Sequence, residues 1–285
     1  MLLQKEISDI ASQKGLLKST IDKDWALGHF IDAIFSISEL RQKLIFKGGT
    51  CLRKCYIPDY RFSEDLDFTS TDKEFKLTRK HLNDITALLK QRIEMPTHIE
   101  SLKELRYKDN LTGYEAIIKF WGSDHSRNET PPPPERWQTK IKIEIILYEL
   151  ALFPIVNRDV YHPYSDKLTE NSTQVPCYSI EEVLAEKMRS LIQRSYAAPR
   201  DFYDIWYLSN HYADIDYKAV VAAFHKKMEF KGHTFTGVEQ LINPENDKQL
   251  SAAWKYSLAH QIHGELPDFA TVKSELLSLF NKIFI

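Results

Sequence analysis

Asp65-Leu66-Asp67-Phe68 sets two carboxylates two residues apart, with an apolar residue after each. A β-strand sends successive side chains to opposite faces, so Asp65 and Asp67 share one face while Leu66 and Phe68 turn to the core. Carboxylates so placed repel each other unless a cation lies between them. A hard divalent cation with oxygen ligands suits the position: Mg²⁺, or Mn²⁺, of the kind that arrives with a nucleoside triphosphate. Upstream, the apolar run Leu44-Ile45-Phe46 passes through Lys47 into Gly48-Gly49-Thr50, and Leu52-Arg53-Lys54-Cys55-Tyr56 then has helix-compatible composition. Strand, tight turn and helix start place backbone N–H groups where they cradle phosphate oxygens. Glycine pairs occur in many turns, and an Asp-x-Asp on an edge strand is more often solvated than metal-binding. The succession of the two elements is much more specific than either.

A second strand pattern runs through Thr139-Lys140-Ile141-Lys142-Ile143-Glu144-Ile145, with the isoleucines on one face and Lys140, Lys142 and Glu144 on the other. An amphipathic strand with one solvated face explains it without chemistry. A carboxylate that joins the metal site, or takes a proton from an attacking hydroxyl, is the functional alternative for Glu144. Lys142, on the same face, is suited to neutralising phosphate charge. Farther on, Ser179 and Glu182 have the spacing of a capping box that opens a helix with an apolar stripe of Ile180, Val183, Leu184, Met188, Leu191 and Ile192. Lys187 falls inside that stripe and Arg194 near its edge. Burying an unpaired ammonium costs several kcal/mol, so Lys187 either snorkels to solvent or meets an anion. Pro199 suits a first helical turn. Asp201 and Asp204 share one face of the helix it opens, and Arg200 has the i,i+4 spacing to pair with Asp204.

Phe46-Lys47-Gly48-Gly49-Thr50 followed by Arg61-Phe62-Ser63-Glu64-Asp65-Leu66-Asp67-Phe68 resembles the nucleotidyltransferase superfamily, and within it most closely the AbiEii/AbiGii toxin branch. The gap between Gly49 and Asp65 is slightly longer than in many nucleotidyltransferases, which bears on loop geometry more than on chemistry. The resemblance spans roughly residues 20–210 and takes in Glu186-Lys187 with Arg194, and Pro199-Arg200-Asp201-Phe202-Tyr203-Asp204-Ile205. It implies a catalytic set of Asp65, Asp67, Glu144, Lys187 and Asp204, with Asp65 and Asp67 on the metal. Nucleotide contacts would come from Lys47, Gly48, Gly49, Thr50, Ser63, Lys142, Arg194, Arg200 and Asp201. One of Asp201 and Asp204 would work with Lys187, and Asp204 is preferred. Lys23-Asp24-Trp25 also has the family's look, with no chemistry evident from its neighbours in sequence.

These residues need a sheet and a helical wall to hold them. A helix is expected over residues 20–40 and another near 76–92, with strands around 44–46, 64–69, 114–120 and 139–148. The proline run in 128–136 forbids helix or central strand and reads as a stiff, mobile loop between the last two strands. After about residue 178 the pattern is helical, at 180–195, 200–210, 217–229, 249–261 and 269–283. The expected fold is α+β: a nucleotidyltransferase-like mixed β-sheet with helices over residues 1–165, then a helical bundle over 166–285 that completes a cleft, with Lys187 pointing across it toward Asp65 and Asp67.

The 285 residues are 43% hydrophobic and 12% aromatic, enough for well-filled cores, and the net charge of −2 supplies no overall basic field for nucleic acid. Any RNA contact must rest on a local patch, for which Arg53, Lys54, Lys140, Lys142, Arg189, Arg194 and Arg200 are candidates. Cys51, Cys55 and Cys177 have no zinc spacing and read as small buried hydrophobes, and none of the 10 histidines forms a metal spacing or nucleophile pair. No apolar run reaches bilayer length, so a cytoplasmic protein is expected. The function that follows is Mg²⁺-dependent transfer of NMP from an NTP to a hydroxyl. The resemblance implies a toxin of a toxin–antitoxin or phage-defence system, with tRNA 3′ ends as acceptor and a protein antitoxin as partner. A small-molecule nucleotidyltransferase of the antibiotic-modifying type, and a non-catalytic nucleotide-binding protein, are the alternatives.

Overall fold

All four expected strands belong to one seven-stranded sheet in the computed structural model, which describes residues 2–126, 128–194, 198–243, 245 and 247–285. The chain forms two compact units, one of residues 1–149 with 155–177 and the other of residues 150–154 with 178–285. Ten α-helices occur among the described residues.

The first unit opens with helices α1 (Gln4–Lys14), α2 (Lys18–Phe35) and α3 (Ser38–Lys43). Then come β1 (Leu44–Lys47), the short α4 (Gly48–Cys51), which runs on as a wider turn through Leu52–Tyr56, and β2 (Asp65–Ser70). Helix α5 (Arg79–Ile93) leads to β3 (Thr97–Tyr107), β4 (Asn110–Phe120), β5 (Lys140–Ile146), β6 (Val156–Arg158) and β7 (Val175–Cys177). The strand order is β3-β4-β5-β2-β1-β7-β6. β2 runs antiparallel to β1 and parallel to β5, so the carboxylate-bearing strand lies in the middle of the sheet.

Helix α2 is more deeply buried than an amphipathic stripe implies. Trp25, Phe30, Ile31 and Phe35 are core, and so are the polar residues Asp22, Asp24, His29 and Asp32. Buried carboxylates must find partners, and Asp32 finds Arg92 at 2.8 Å and the Thr169 hydroxyl at 2.6 Å. Strand β3 has no fully buried residue and carries two register shifts against β4. An edge strand of that kind shows no apolar face for the sequence to reveal. The proline-rich segment joins β4 to β5 as expected, with a 3₁₀ turn at Pro134–Arg136, and buried Trp137 donates its indole N–H to the Pro132 carbonyl at 2.7 Å.

The second unit contains α6 (Ile180–Gln193), α7 (Pro199–His211), α8 (Tyr217–Phe230), α9 (Asp247–Leu258) and α10 (Phe269–Ile283). Its starts obey capping chemistry: Ser179 accepts from Glu182 N–H, Asp216 from Ala219 N–H, and Asp268 from Ala270 and Thr271 N–H. The reciprocal half of the Ser179 capping box goes elsewhere. The Glu182 carboxylate meets Lys227 at 2.6 Å and accepts from Leu152 and Phe153 N–H at 2.6 and 2.7 Å. Both charged residues are buried, and a buried ion pair outranks a terminal backbone N–H for a carboxylate. These contacts explain why Leu150–Pro154 belongs with the helices.

Candidate active site

The parallel register of β2 and β5 places Asp65 beside Lys142 and Asp67 beside Glu144, while the antiparallel register with β1 places Lys47 on the other side of Asp67. Side chains level with one another on neighbouring strands lie on one face, so three carboxylates and two ammonium groups gather there. Lys142 Nζ lies 3.3 Å from Glu144 Oε2 and 3.9 Å from Asp65 Oδ2. Burial, with Glu144 and Asp65 beside it, pushes the Asp67 pKa up to about 6 although Lys47 and Lys142 pull it down. Burial lowers the proton affinity of Lys142, but Glu144, Asp65 and Asp67 outweigh it and leave that pKa raised. The carboxylate donors are all oxygen, and burial together with their crowding on one face raises the Asp67 pKa, which fits a hard divalent cation.

The glycine turn is built against these carboxylates. Gly48 has φ +79, a left-handed conformation that favours glycine, and a Cβ there would run into the Asp67 carboxylate. At Gly49 a Cβ would come within 2.8 Å of Arg61 Nη2 and 3.0 Å of Ser63 Oγ, which places Ser63 beside the turn. The Thr50 hydroxyl donates to the Asp65 carbonyl at 2.5 Å, so this residue ties the turn to β2. The first amides of α4 lie beyond the reach of intrahelical acceptors.

Behind the turn lies an anchor whose parts the sequence displayed without their connection. Asp24 on α2 accepts from Arg53 Nε at 2.5 Å, Lys54 Nζ at 2.7 Å and the Tyr164 hydroxyl at 2.8 Å. Burial would raise the Asp24 pKa, but the Arg53 and Lys54 charges hold it well below the usual carboxylate range. Arg53 also stacks on Phe62, 3.4 Å from the ring centroid. Arg53 and Lys54 are therefore core residues and are corrected out of the RNA-contact candidates. Arg189 is buried as well, against Gln193, and leaves that set for the same reason. Of the remaining candidates Lys140 is exposed, while Lys142 and Arg200 are half-buried. Neighbouring Lys23 pairs with Glu64 at 3.2 Å.

In the second unit Lys187 does not snorkel. Its ammonium lies 2.9 Å from Asp201 Oδ1 and 2.6 Å from Asp204 Oδ2, so both aspartates hold it. Asp201 also pairs with Arg194 at 2.5 Å. Asp204 is fully buried and turned to Lys187, in place of the Arg200 pairing that the i,i+4 spacing suggested. Two clusters that spacing could not foretell also appear: Cys51 with Cys55 and Cys177, and His29 with His162 and Asp166. Each brings together residues more than a hundred positions apart, which no local motif registers.

The family model for the nucleotidyl transferase AbiEii toxin of type IV toxin–antitoxin systems matches residues 29–275. Among solved structures, the chain is similar to MenT4, a nucleotidyltransferase toxin from Mycobacterium tuberculosis H37Rv, with a TM-score of 0.70 at 18% identity over 100% of this chain and 90% of that one. It is also similar to an H. pylori protein described as a nucleotidyltransferase, with a TM-score of 0.52 at 15% identity over 94% and 96% of the two chains. At such identities the likeness concerns the fold. No curated protein matches the sequence.

Proposed function

Because the chain belongs to the AbiEii nucleotidyltransferase toxin family of type IV toxin–antitoxin systems, we propose that it transfers NMP from an NTP to an RNA hydroxyl, with the 3′ end of tRNA as acceptor, in a Mg²⁺-dependent reaction. The observation that carries this reading is the in-register meeting of Asp65, Asp67 and Glu144 beside Lys142 and the glycine turn. Asp65 and Asp67 would hold the divalent cation, which when bound stabilises charge on the triphosphate and on the departing pyrophosphate. The acceptor oxygen forms a bond to the α-phosphorus as the bond to pyrophosphate breaks, and Glu144 takes the hydroxyl proton. Lys142 and Lys47 neutralise phosphate charge. Gly48 and Gly49 let backbone approach the triphosphate closely, with Thr50 fixing the turn and Ser63 beside it. In the second unit Lys187 and Arg194 neutralise phosphate charge as well, Asp201 and Asp204 orient Lys187, and Arg200 adds a cation. A cognate protein antitoxin opposes the activity in the cytoplasm, in a role that extends to phage defence.

The test is incubation of the protein with each labelled NTP, Mg²⁺ and total cellular RNA. Label should appear in the tRNA fraction with one NTP preferred, and it should vanish in Asp65→Asn and Asp67→Asn. Label confined to small molecules would transfer the reading to the antibiotic-type acceptor. Undiminished labelling by both variants would remove the metal assignment.

A further inference from the structure

We propose that Cys51, Cys55 and Cys177 form a three-thiolate site for a single thiophilic cation such as Zn²⁺ or Cd²⁺, distinct from the carboxylate site. Cys51 ends α4 and Cys55 follows one turn later. Cys177 ends β7, which runs parallel to β1 with Phe46 level with Cys177. The three sulfur atoms lie within 4.8 Å of one another. Thiolates bound to one zinc at about 2.3 Å in a trigonal array stand about 4 Å apart, so the cluster is close to ligating geometry before any ion enters. Cys51 and Cys177 are fully enclosed, while Cys55 reaches the surface at 9% exposure and gives the entry.

The surroundings favour a soft cation with an anionic ligand set. The three ligands are all sulfur, which discriminates against Mg²⁺ and Ca²⁺. Three thiolates around a divalent cation leave one negative charge. Arg158 supplies the balancing positive charge: it ends β6 beside β7, its guanidinium lies 4.6 Å from the Tyr56 ring centroid, and its field acts on both Cys55 and Cys177. Lys54 adds to the field at Cys55. The Cys177 thiol donates to the Val175 carbonyl at 3.3 Å and the three thiols hydrogen-bond one another, so binding exchanges weak sulfur hydrogen bonds for metal–sulfur bonds. A cation here would clamp the helix that follows the glycine turn to the strand that ends the first unit's sequence.

The probe is Cd²⁺ added to the reduced full-length protein without oxygen. Thiolate-to-metal charge-transfer absorption in the ultraviolet should rise and saturate at one equivalent, with release of about two to three protons per ion. Thiol reagents should lose access to Cys55, the one thiol of the cluster that reaches the surface, and the thermal midpoint should rise. Cys55→Ser, changed at the accessible edge of the cluster, should fold and lose the saturating absorption. Cys177→Ser should lose it too, and near-native circular dichroism would separate that loss from unfolding. Absence of the absorption in wild-type protein whose thiols all react after denaturation would overturn the proposal. Its persistence in a folded Cys55→Ser chain would do the same. Because the readouts are spectroscopic and thermal, they are independent of nucleotide transfer.

Discussion

Gly48→Ala isolates the contribution of the glycine turn to the carboxylate site. The residue has φ +79, and an added methyl group would run into the Asp67 carboxylate, whose Cβ and Cγ both lie 3.1 Å from the ideal Cβ position. The left-handed conformation costs a non-glycine residue about 1–2 kcal/mol, which in a chain of this size lowers the thermal midpoint by about 2–8 °C. The contact adds something the backbone term does not: Asp67 must turn away from Glu144 and Lys47 or the turn must shift. Displacement of a reacting group by about 1 Å can lower a rate about 100-fold, and that is the loss expected in NMP transfer. Gly15→Ala is the matched control, since Gly15 has φ +66 with nothing within 4 Å of an added Cβ. It bears the same backbone cost at a place with no chemistry. The assay pairs thermal melts with initial rates of label transfer at saturating NTP and Mg²⁺. Comparable melting losses in the two variants, with activity lost only in Gly48→Ala, are expected. Full activity in a folded Gly48→Ala chain would refute the assigned role of the turn.

Asp67 should also register in stability. Its folded pKa of about 6 lies above the ordinary carboxylate value of 3.8, so its contribution is fully present below pH 3.8 and is lost as pH rises through 6. Asp67→Asn should therefore raise the metal-free melting temperature at pH 7.5, an advantage that fades toward pH 4; a pH-independent difference would contradict this origin. Lys187→Met leaves Asp201 and buried Asp204 short of their cation, a loss of about 3 kcal/mol by analogy with broken buried pairs, and adding Asp204→Asn should recover part of it in denaturant melts. Arg53→Gln should lower stability with little change in the salt dependence of RNA labelling, since Arg53 is spent on Asp24. Labelling by the wild type should weaken between roughly 50 and 200 mM salt, and Lys140→Ala should flatten that dependence if this exposed residue contacts phosphate.

What the sequence disclosed follows the range of the interactions concerned. Asp65, Asp67, Lys142 and Glu144 were legible because strand alternation assigns each a face without reference to distant residues, and the parallel pairing of β2 with β5 then places them side by side. Lys187 was visible as an anomaly in an apolar stripe, and its partners lie within the next helix. Arg53 and Lys54 misled because a basic residue in a local window carries no sign of its counterion, here 29 and 30 positions earlier on α2. Glu182 misled for a related reason: the capping spacing is local, but the competing Lys227 stands two helices later. Strand β3 was missed because an edge strand without a buried face lacks the alternation that reveals the others.

The tie between Glu182, Lys227 and the backbone of Leu150–Pro154 has a consequence for how this polypeptide is made and how it can be divided. The five-residue segment leaves the ribosome before any helix of the unit it belongs to, and its amides stay in water until α6 arrives. A fragment starting at Tyr178 would keep Glu182 and Lys227 but lose the Leu150 carbonyl and the Leu152 and Phe153 amides that they bond. The helical unit is thus not contiguous in sequence, and a cut before Tyr178 would remove part of its own packing. This joint closes late, after the whole of the sheet-bearing unit has emerged, so premature termination anywhere before Lys227 leaves a chain without its closing stitch.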